Sequence, residues 1–320
     1  MRDVNGNNNG NNNGNGNGKG NGKGNGNMNG NASIAGNDLL EISSLSVDFK
    51  TAAGQDNVIR DINFSIKHGK TMALVGESGS GKSVTAMSIL RLHDEDKVVY
   101  PSGSIMFNGQ DILGTDETHI REVRGSDISM IFQEPMTSLN PTYTVGDQIM
   151  EPMLIHLQMS KAAAKNRALE LMDLTGIVNA KSRFDAFPHL LSGGQRQRMM
   201  IAMALACEPK LLIADEPTTA LDVTVQLQIL LLLEKLQKEF SMSVLLISHD
   251  LNMVRRFADH VCVMQEGNLV EQNEVHSLFE NPQHPYTISL LKSEPERIIP
   301  EAETAEIARH DELLTGHDLY

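Results

Sequence analysis

The stretch TMALVGESGSGKS, from Thr71 to Ser83, decides the fold. Five residues of nearly unbroken apolar character read as a strand buried on both faces. The glycine-rich turn and the run VTAMSILRL after it read as a loop opening a helix. GESGSGKS, Gly76 to Ser83, fits the phosphate-loop pattern G-x4-G-K-S in full, and its context is the one that pattern requires. Gly76, Gly79 and Gly81 let backbone N–H groups converge on phosphate oxygens, with Glu77, Ser78 and Ser80 between them and Val84 just inside the helix. Lys82 brings a point charge to the β- and γ-phosphates, and the Ser83 hydroxyl is a ligand for Mg²⁺. An ordinary strand-to-helix turn would need no lysine.

Working outward, LLEISSLSVDF and INFSI alternate apolar and polar residues as half-buried strands, the second ending at a His68-Gly69 turn. SGSIMFNGQDI reads as strand and turn. Helical spacing dominates from Thr144 to Gly176. LLIAD and SVLLIS are short buried-strand runs, QLQILLLLEKLQKEF is a helix between them, and HVCVMQEGNLVEQ is a hairpin turning at Glu266-Gly267. The sum is an α/β domain interrupted by a helical insert.

Bulk properties narrow the class. The 320 residues carry 41 Asp and Glu against 27 Lys and Arg, a net charge of -14, which argues against nucleic acid as the main partner. The two cysteines, Cys207 and Cys262, stand in apolar surroundings and read as buried thiols of a reducing compartment rather than a disulfide. No apolar run reaches membrane-spanning length and the first residues are polar, so the chain is expected in the cytoplasm with at most a peripheral membrane role. Residues 1–37 are almost entirely Asn and Gly and are expected to be disordered; the acidic end beyond Glu294 is expected to be loosely held.

Other stretches supply partners for the loop. LLIADEP delivers Asp215 to a strand end, where it can hold Mg²⁺, and Glu216 next to it, where it can polarise an attacking water. SVLLISHD puts His249 at another strand end, either as a bystander between capping residues Ser248 and Asp250 or in contact with the γ-phosphate and the water. Gln133 follows ISMIF. Phe49 either stacks on an adenine or faces the core. A second glycine turn, LSGGQRQRMM from Leu191 to Met200, opens another helix: Ser192 is a suitable N-cap, and Met199, Ala202, Met203 and Ala206 form an apolar stripe. Gly193 and Gly194 weaken a helix start unless something must come near, which makes this a second anion-binding helix end.

GESGSGKS, Gln133, LSGGQRQR, LLIADEP, TALD and SHD, in this order, resemble the ATPase subunit of ATP-binding-cassette transporters, over roughly Leu39 to Leu291. The resemblance implies a P-loop cassette with a mixed, mostly parallel core sheet, an N-terminal antiparallel β subdomain and a helical subdomain at about 136–200, followed by a C-terminal extension, 292–320. It implies ATP and Mg²⁺, with Ser83, Gln133 and Asp215 around the metal, Glu216 as general base and His249 on the γ-phosphate. It further implies head-to-tail pairing, in which Ser192, Gly193, Gly194 and Gln195 act on ATP lying on the partner's phosphate loop, and it makes Asp222 of TALD a nucleotide-binding residue. SMIFQEPMTSLNPTYTVGDQI, DEPTTALDVTVQLQILLLL and NPQHPYTISLL look like the peptide importers, whose relatives also take up nickel and glutathione. That implies a second ATPase subunit, paralogous or identical, two membrane permeases docked near Met136 to Tyr143, an external solute-binding protein, and a place on the cytoplasmic face of the inner membrane. The cysteine-rich tail common in that group is missing, so no iron–sulfur cluster is expected, and the Asn-Gly leader has no family counterpart. Two rivals fit less well. A soluble cassette ATPase of DNA repair or translation would need a second cassette or a basic arm, and a non-hydrolysing regulator would tolerate loss of Glu216 or His249.

Overall fold

The computed structural model describes residues 38–52, 54–133, 138–219 and 221–293. The leader, the stretch from Glu294 onward, and Met136 and Thr137 at the start of the expected docking segment lie outside these residues.

Two sheets organise the described chain. The first is antiparallel, in the order β2-β1-β4-β5, from β1 (Asp38–Thr51), β2 (Gly54–Lys67), β4 (Val98–Phe107) and β5 (Gln110–Asp111). The second has six strands in the order β10-β9-β3-β8-β7-β6, from β3 (Thr71–Val75), β6 (Ile128–Ile131), β7 (Leu211–Asp215), β8 (Ser243–Ile247), β9 (His260–Gln265) and β10 (Asn268–Glu274). β9, β3, β8, β7 and β6 run parallel, and β10 is the antiparallel arm of the hairpin turning at Glu266-Gly267.

β3, β7 and β8 are buried at every position, as their unbroken apolar runs require of central strands covered on both faces. Their side chains alternate between two cores. Leu211, Ile213, Leu245 and Ile247 face the core shared with the antiparallel sheet, while Leu212, Ala214, Val244 and Leu246 face the one shared with the helices. That second core takes in helices Val145–His156, Lys161–Leu174, Gly193–Ala204 and Val223–Phe240.

The parallel register aligns the strand ends. Leu74 pairs with Ile247, Asp215 with Ile247, and Ile131 with Ala214. Every residue that follows β3, β6, β7 or β8 therefore emerges on one edge of the sheet, the edge where open α/β sheets bind ligands.

Three local features differ from the sequence reading. The helix after the phosphate loop runs Lys82–Ile89 and stops short of Arg91 and Leu92. Arg91 takes a left-handed conformation (φ 47°), with Arg91 N–H donating to Ser88 O at 3.1 Å and Leu92 N–H to Met87 O at 2.9 Å, a Schellman close made without glycine. β4 begins at Val98, with Pro101 at the place where the register against β1 shifts. Cys262 is fully buried but Cys207 only half-buried; both are free thiols, and burial pushes them up to about 12 and about 11.

Candidate active site

The phosphate loop is wedged between neighbours that dictate its glycines. Gly76 has φ 146°, and a Cβ there would lie 2.2 Å from Met264 O. Gly81 has φ 105°, and a Cβ would lie 2.4 Å from Ile59 Cδ1. Gly79, at φ 81°, faces open space and is glycine for its conformation. The Gly267 N–H donates to Ser80 O at 3.0 Å, tying the loop to the β9–β10 hairpin. Glu77, Ser78 and Gly79 form the exposed lip, and Ser80 is buried with its hydroxyl unpartnered.

Lys82 is buried, and its ammonium donates to Gly76 O at 2.8 Å and Glu77 O at 2.9 Å. Burial holds its pKa below the usual lysine range against the pull of the Glu216 and Asp215 carboxylates. At the end of β7, Asp215 is 5% exposed and accepts a hydrogen bond from Ser83 Oγ at 3.1 Å. Burial pushes its carboxyl above the usual range, and the Ser83 hydrogen bond only partly offsets that. Two hard oxygen ligands, one of them a buried carboxylate with no ion-pair partner among the described residues, suit a small divalent cation. Among the described residues no group of three or more His, Cys, Asp or Glu could hold a metal unaided. Mg²⁺ at this place would draw its other ligands from phosphate and water.

Glu216 collects the other strand ends. It has φ 45°, unusual for a residue with a side chain, and its N–H is fixed to Ile247 O at 3.0 Å. Its Oε2 accepts from Gln133 Nε2 at 2.9 Å and from Thr219 Oγ1 at 2.9 Å, and His249 Nδ1 stands 3.3 Å away. Residues following β6, β7 and β8 thus meet at one carboxylate oxygen beside the loop that follows β3. Sequence reading singled out Gln133, Glu216 and His249 but missed Thr219, a threonine within DEPTTALD with no spacing signal of its own. The bystander reading of His249 is only half right: Asp250 does cap the helix Leu251–Phe257, yet the imidazole reaches Glu216.

Phe49 is half-buried against the core of the antiparallel sheet, and its ring meets His93 edge-on at 5.2 Å. His93 in turn hydrogen-bonds Val84 O at 3.0 Å, on the helix after the phosphate loop. Asp222 caps the helix Val223–Phe240 through Val225 N–H.

The second glycine turn stands apart from this cluster. Ser192 and Gln195 form a reciprocal capping box on the helix Gly193–Ala204. Their hydrogen bonds leave the Gly193 and Gly194 amides without an acceptor among the described residues. A Cβ on Gly193 would make only ordinary contact, 3.6 Å from Leu221 Cδ2, and one on Gly194 a tight 3.2 Å from Val225 Cγ1. Packing within the chain does not demand a glycine at 193. Met199, Ala202 and Ala206 of the expected stripe are buried, Met203 half-buried.

A phosphate loop, a buried Asp beside its serine, and a Glu held by three neighbouring strand ends define a P-loop ATPase. The model of the ABC transporter family matches residues 59–219. Over 257 residues the chain is 52% identical to the oligopeptide transport ATP-binding protein OppD of Bacillus subtilis, covering 80% of this chain and 72% of that protein. A putative peptide import ATP-binding protein of Brucella abortus is 51% identical over 258 residues, 81% of this chain and 77% of that one. The peptidoglycan transport ATP-binding protein YejF of Agrobacterium fabrum is 52% identical over 83% of this chain, which spans 49% of its length. Among solved structures, the dimeric ATP-binding cassette MJ0796, in a post-hydrolysis state with ADP and Pi, aligns with a TM-score of 0.67 at 27% identity, over 74% of this chain and 99% of that one. The cassette cbiO1 of Clostridium perfringens aligns with a TM-score of 0.65 at 28% identity, over 77% and 92%. The chain belongs to the ABC transporter family, as an ATP-binding cassette that hydrolyses ATP.

Proposed function

We propose that this chain is the ATPase subunit of a membrane importer of oligopeptides or dipeptides, and that it couples ATP hydrolysis to uptake. What supports the peptide class is the identity, above one half over four-fifths of the chain, to proteins named for oligopeptide and peptide transport. What supports turnover rather than binding alone is the cluster of Gln133, Thr219 and His249 around Glu216 Oε2.

In this reading residues 38–291 form one nucleotide-binding domain with a helical arm at about 136–200. The amides of Gly79, Ser80, Gly81, Lys82 and Ser83 cradle the phosphates of ATP, with the lip residues Glu77 and Ser78 at the mouth and Val84 behind. Lys82 exchanges its two carbonyl partners for phosphate oxygens, which costs little because the ammonium is already desolvated. Phe49 borders the base. Ser83, Asp215 and Gln133 would hold Mg²⁺, which when bound would supply positive charge against the β- and γ-phosphates. Glu216 takes a proton from the attacking water, and His249 orients the γ-phosphate. Hydrogen bonds from Gln133 and Thr219 fix the carboxylate in place. Two such subunits pair head to tail, and Ser192, Gly193, Gly194 and Gln195, with Asp222, close over the partner's ATP.

No helix among the described residues is long and apolar enough to cross a membrane. In this reading the subunit works from the cytoplasmic face of the inner membrane, bound to two permease subunits and supplied by an extracytoplasmic solute-binding protein, with no nucleic acid taking part. The test is reconstitution of the permeases, both ATPase subunits and the binding protein in liposomes. Peptide-loaded binding protein should raise ATP turnover and peptide uptake together. Stimulation by nickel or glutathione, with none by peptides, would overturn the substrate class.

A further inference from the structure

The segment NPQHPYTISLL carries a likeness to peptide importers but has no part in the chemistry so far. It begins at Asn281 and continues into the helix Pro285–Ser293. Its Tyr286 reaches the phosphate loop: the Glu77 N–H donates to Tyr286 Oη at 3.0 Å. That N–H belongs to the same peptide group as Gly76 C=O, which accepts from Lys82 Nζ at 2.8 Å. A trans peptide is planar, with its C=O and N–H pointing opposite ways, so the two contacts hold the two ends of one plate. A flip of that plate would lose both.

The tyrosine is itself held. On β10, Glu271 accepts from the Gln283 N–H at 2.8 Å on one oxygen and from the His284 N–H at 2.9 Å on the other. The Tyr286 N–H donates to His284 Nδ1 at 3.2 Å, and its half-buried ring packs against the core cluster that holds Ala73, Val75, Val254 and Val263. The chain from Glu271 through His284 to Tyr286 is a strut running from the edge strand of the sheet to the lip of the loop.

We infer that Tyr286 is a positioning residue for ATP binding: its hydroxyl holds the Gly76–Glu77 peptide, and with it the start of the loop, in the orientation that aims the following amides at phosphate, including after Lys82 has left Gly76 O for a phosphate oxygen. This rests on the reading that the Gly76–Ser83 loop carries ATP. Glu77 N–H is taken by tyrosine and is not part of the phosphate cradle, so the C-terminal segment acts on the loop without touching nucleotide. Without the hydroxyl the loop spends part of its time in other orientations, and apparent affinity falls by the fraction lost.

The experiment uses the full chain, with Tyr286→Phe, Glu271→Gln and Lys82→Ala, and reads the ATP dissociation constant by calorimetric titration together with the melting temperature without nucleotide. Tyr286→Phe keeps the packed ring. It should weaken ATP binding about threefold to tenfold, ~0.6–1.4 kcal/mol at 1.4 kcal/mol per decade, and raise KM while kcat at saturating ATP stays near the parent. Glu271→Gln should shift the dissociation constant the same way and, combined with Tyr286→Phe, add little, because both act through one strut. If Lys82→Ala loses ATP binding while Tyr286→Phe binds as the parent does, the positioning role is refuted and Tyr286 serves packing alone. If Lys82→Ala binds ATP normally, the phosphate-loop reading fails first and takes this inference with it.

Discussion

Replacing Glu216 by Gln separates the chemistry from everything that holds the nucleotide. Oε2 of Glu216 accepts hydrogen bonds of 2.9 Å from Gln133 Nε2 and 2.9 Å from Thr219 Oγ1. A glutamine that places its amide oxygen there keeps both bonds and the same volume. The Lys82 contacts and the Ser83–Asp215 bond do not involve position 216, so ATP affinity should stay within about twofold. What disappears is a group able to accept the proton of the attacking water. Loss of a positioned general base costs about 10²- to 10⁴-fold, or roughly 3–5.5 kcal/mol in the barrier. The assay is single-turnover phosphate release in the assembled transporter, run beside ATP binding to the same preparation. Phosphate release at the parental rate with ATP bound would refute Glu216 as base. Equal losses in binding and release would instead show a disturbed site.

Three further outcomes follow from the same geometry. Gly76→Ala should destabilise the fold by about 2–5 kcal/mol, since its Cβ would sit 2.2 Å from Met264 O; an unchanged midpoint in urea would show that the loop is not wedged as described. Gly193→Asp should leave ATP loading on its own phosphate loop intact and block closure over the partner's ATP; photo-crosslinking of labelled ATP at each subunit of a heterodimer would read the two sites apart, and a defect confined to the mutated subunit's own loop would sink the composite site. Asp215 keeps its proton in the folded chain above its reference value of 3.8, so the folded state binds more protons than the unfolded one there, and this group's contribution to stability falls as pH rises through that interval. Asp215→Asn should therefore flatten that fall in nucleotide-free melting profiles while shrinking the stabilisation by ATP with Mg²⁺; identical profiles for parent and variant would contradict it.

What the sequence revealed, and what it hid, divides by physical cause. Burial on both faces writes an unbroken apolar run, so β3, β7 and β8 were visible, and with them the edge where Asp215, Glu216 and His249 emerge. Half-burial writes alternation, which exposed β1 and β2. The helix end at Arg91 was invisible because a left-handed residue that is not glycine leaves no mark. The helix Glu117–Val123 was missed because only Ile120 and Val123 in it are buried, too few positions for a period to show. Thr219 and Tyr286 were missed for another reason. Each acts through one hydroxyl: Tyr286 across a contact 209 residues apart in sequence, and Thr219 across three residues of an irregular turn, where no period marks which hydroxyl points at Glu216.

The two glycine turns look alike in sequence and differ in what requires them. In GESGSGKS the chain itself demands glycine: the backbone oxygen of Met264 stands against Gly76, and Gly81 takes a φ of 105° that side chains rarely adopt. In LSGGQ the chain leaves room at Gly193, caps the helix with Ser192 and Gln195, and still leaves two amides without an acceptor among the described residues. A glycine kept where its own fold has space, beside donors its own fold does not use, is explained by something arriving from outside. An anion carried by a second copy or a paralogue meets that description, because the helix end offers both the unpaired N–H groups and the positive end of its dipole. One nucleotide needs only one cradle; in the proposed head-to-tail pairing the second turn serves the neighbour's nucleotide, which would make hydrolysis conditional on pairing. On the same proposal, a membrane partner would control ATP use by controlling how the two cassettes approach.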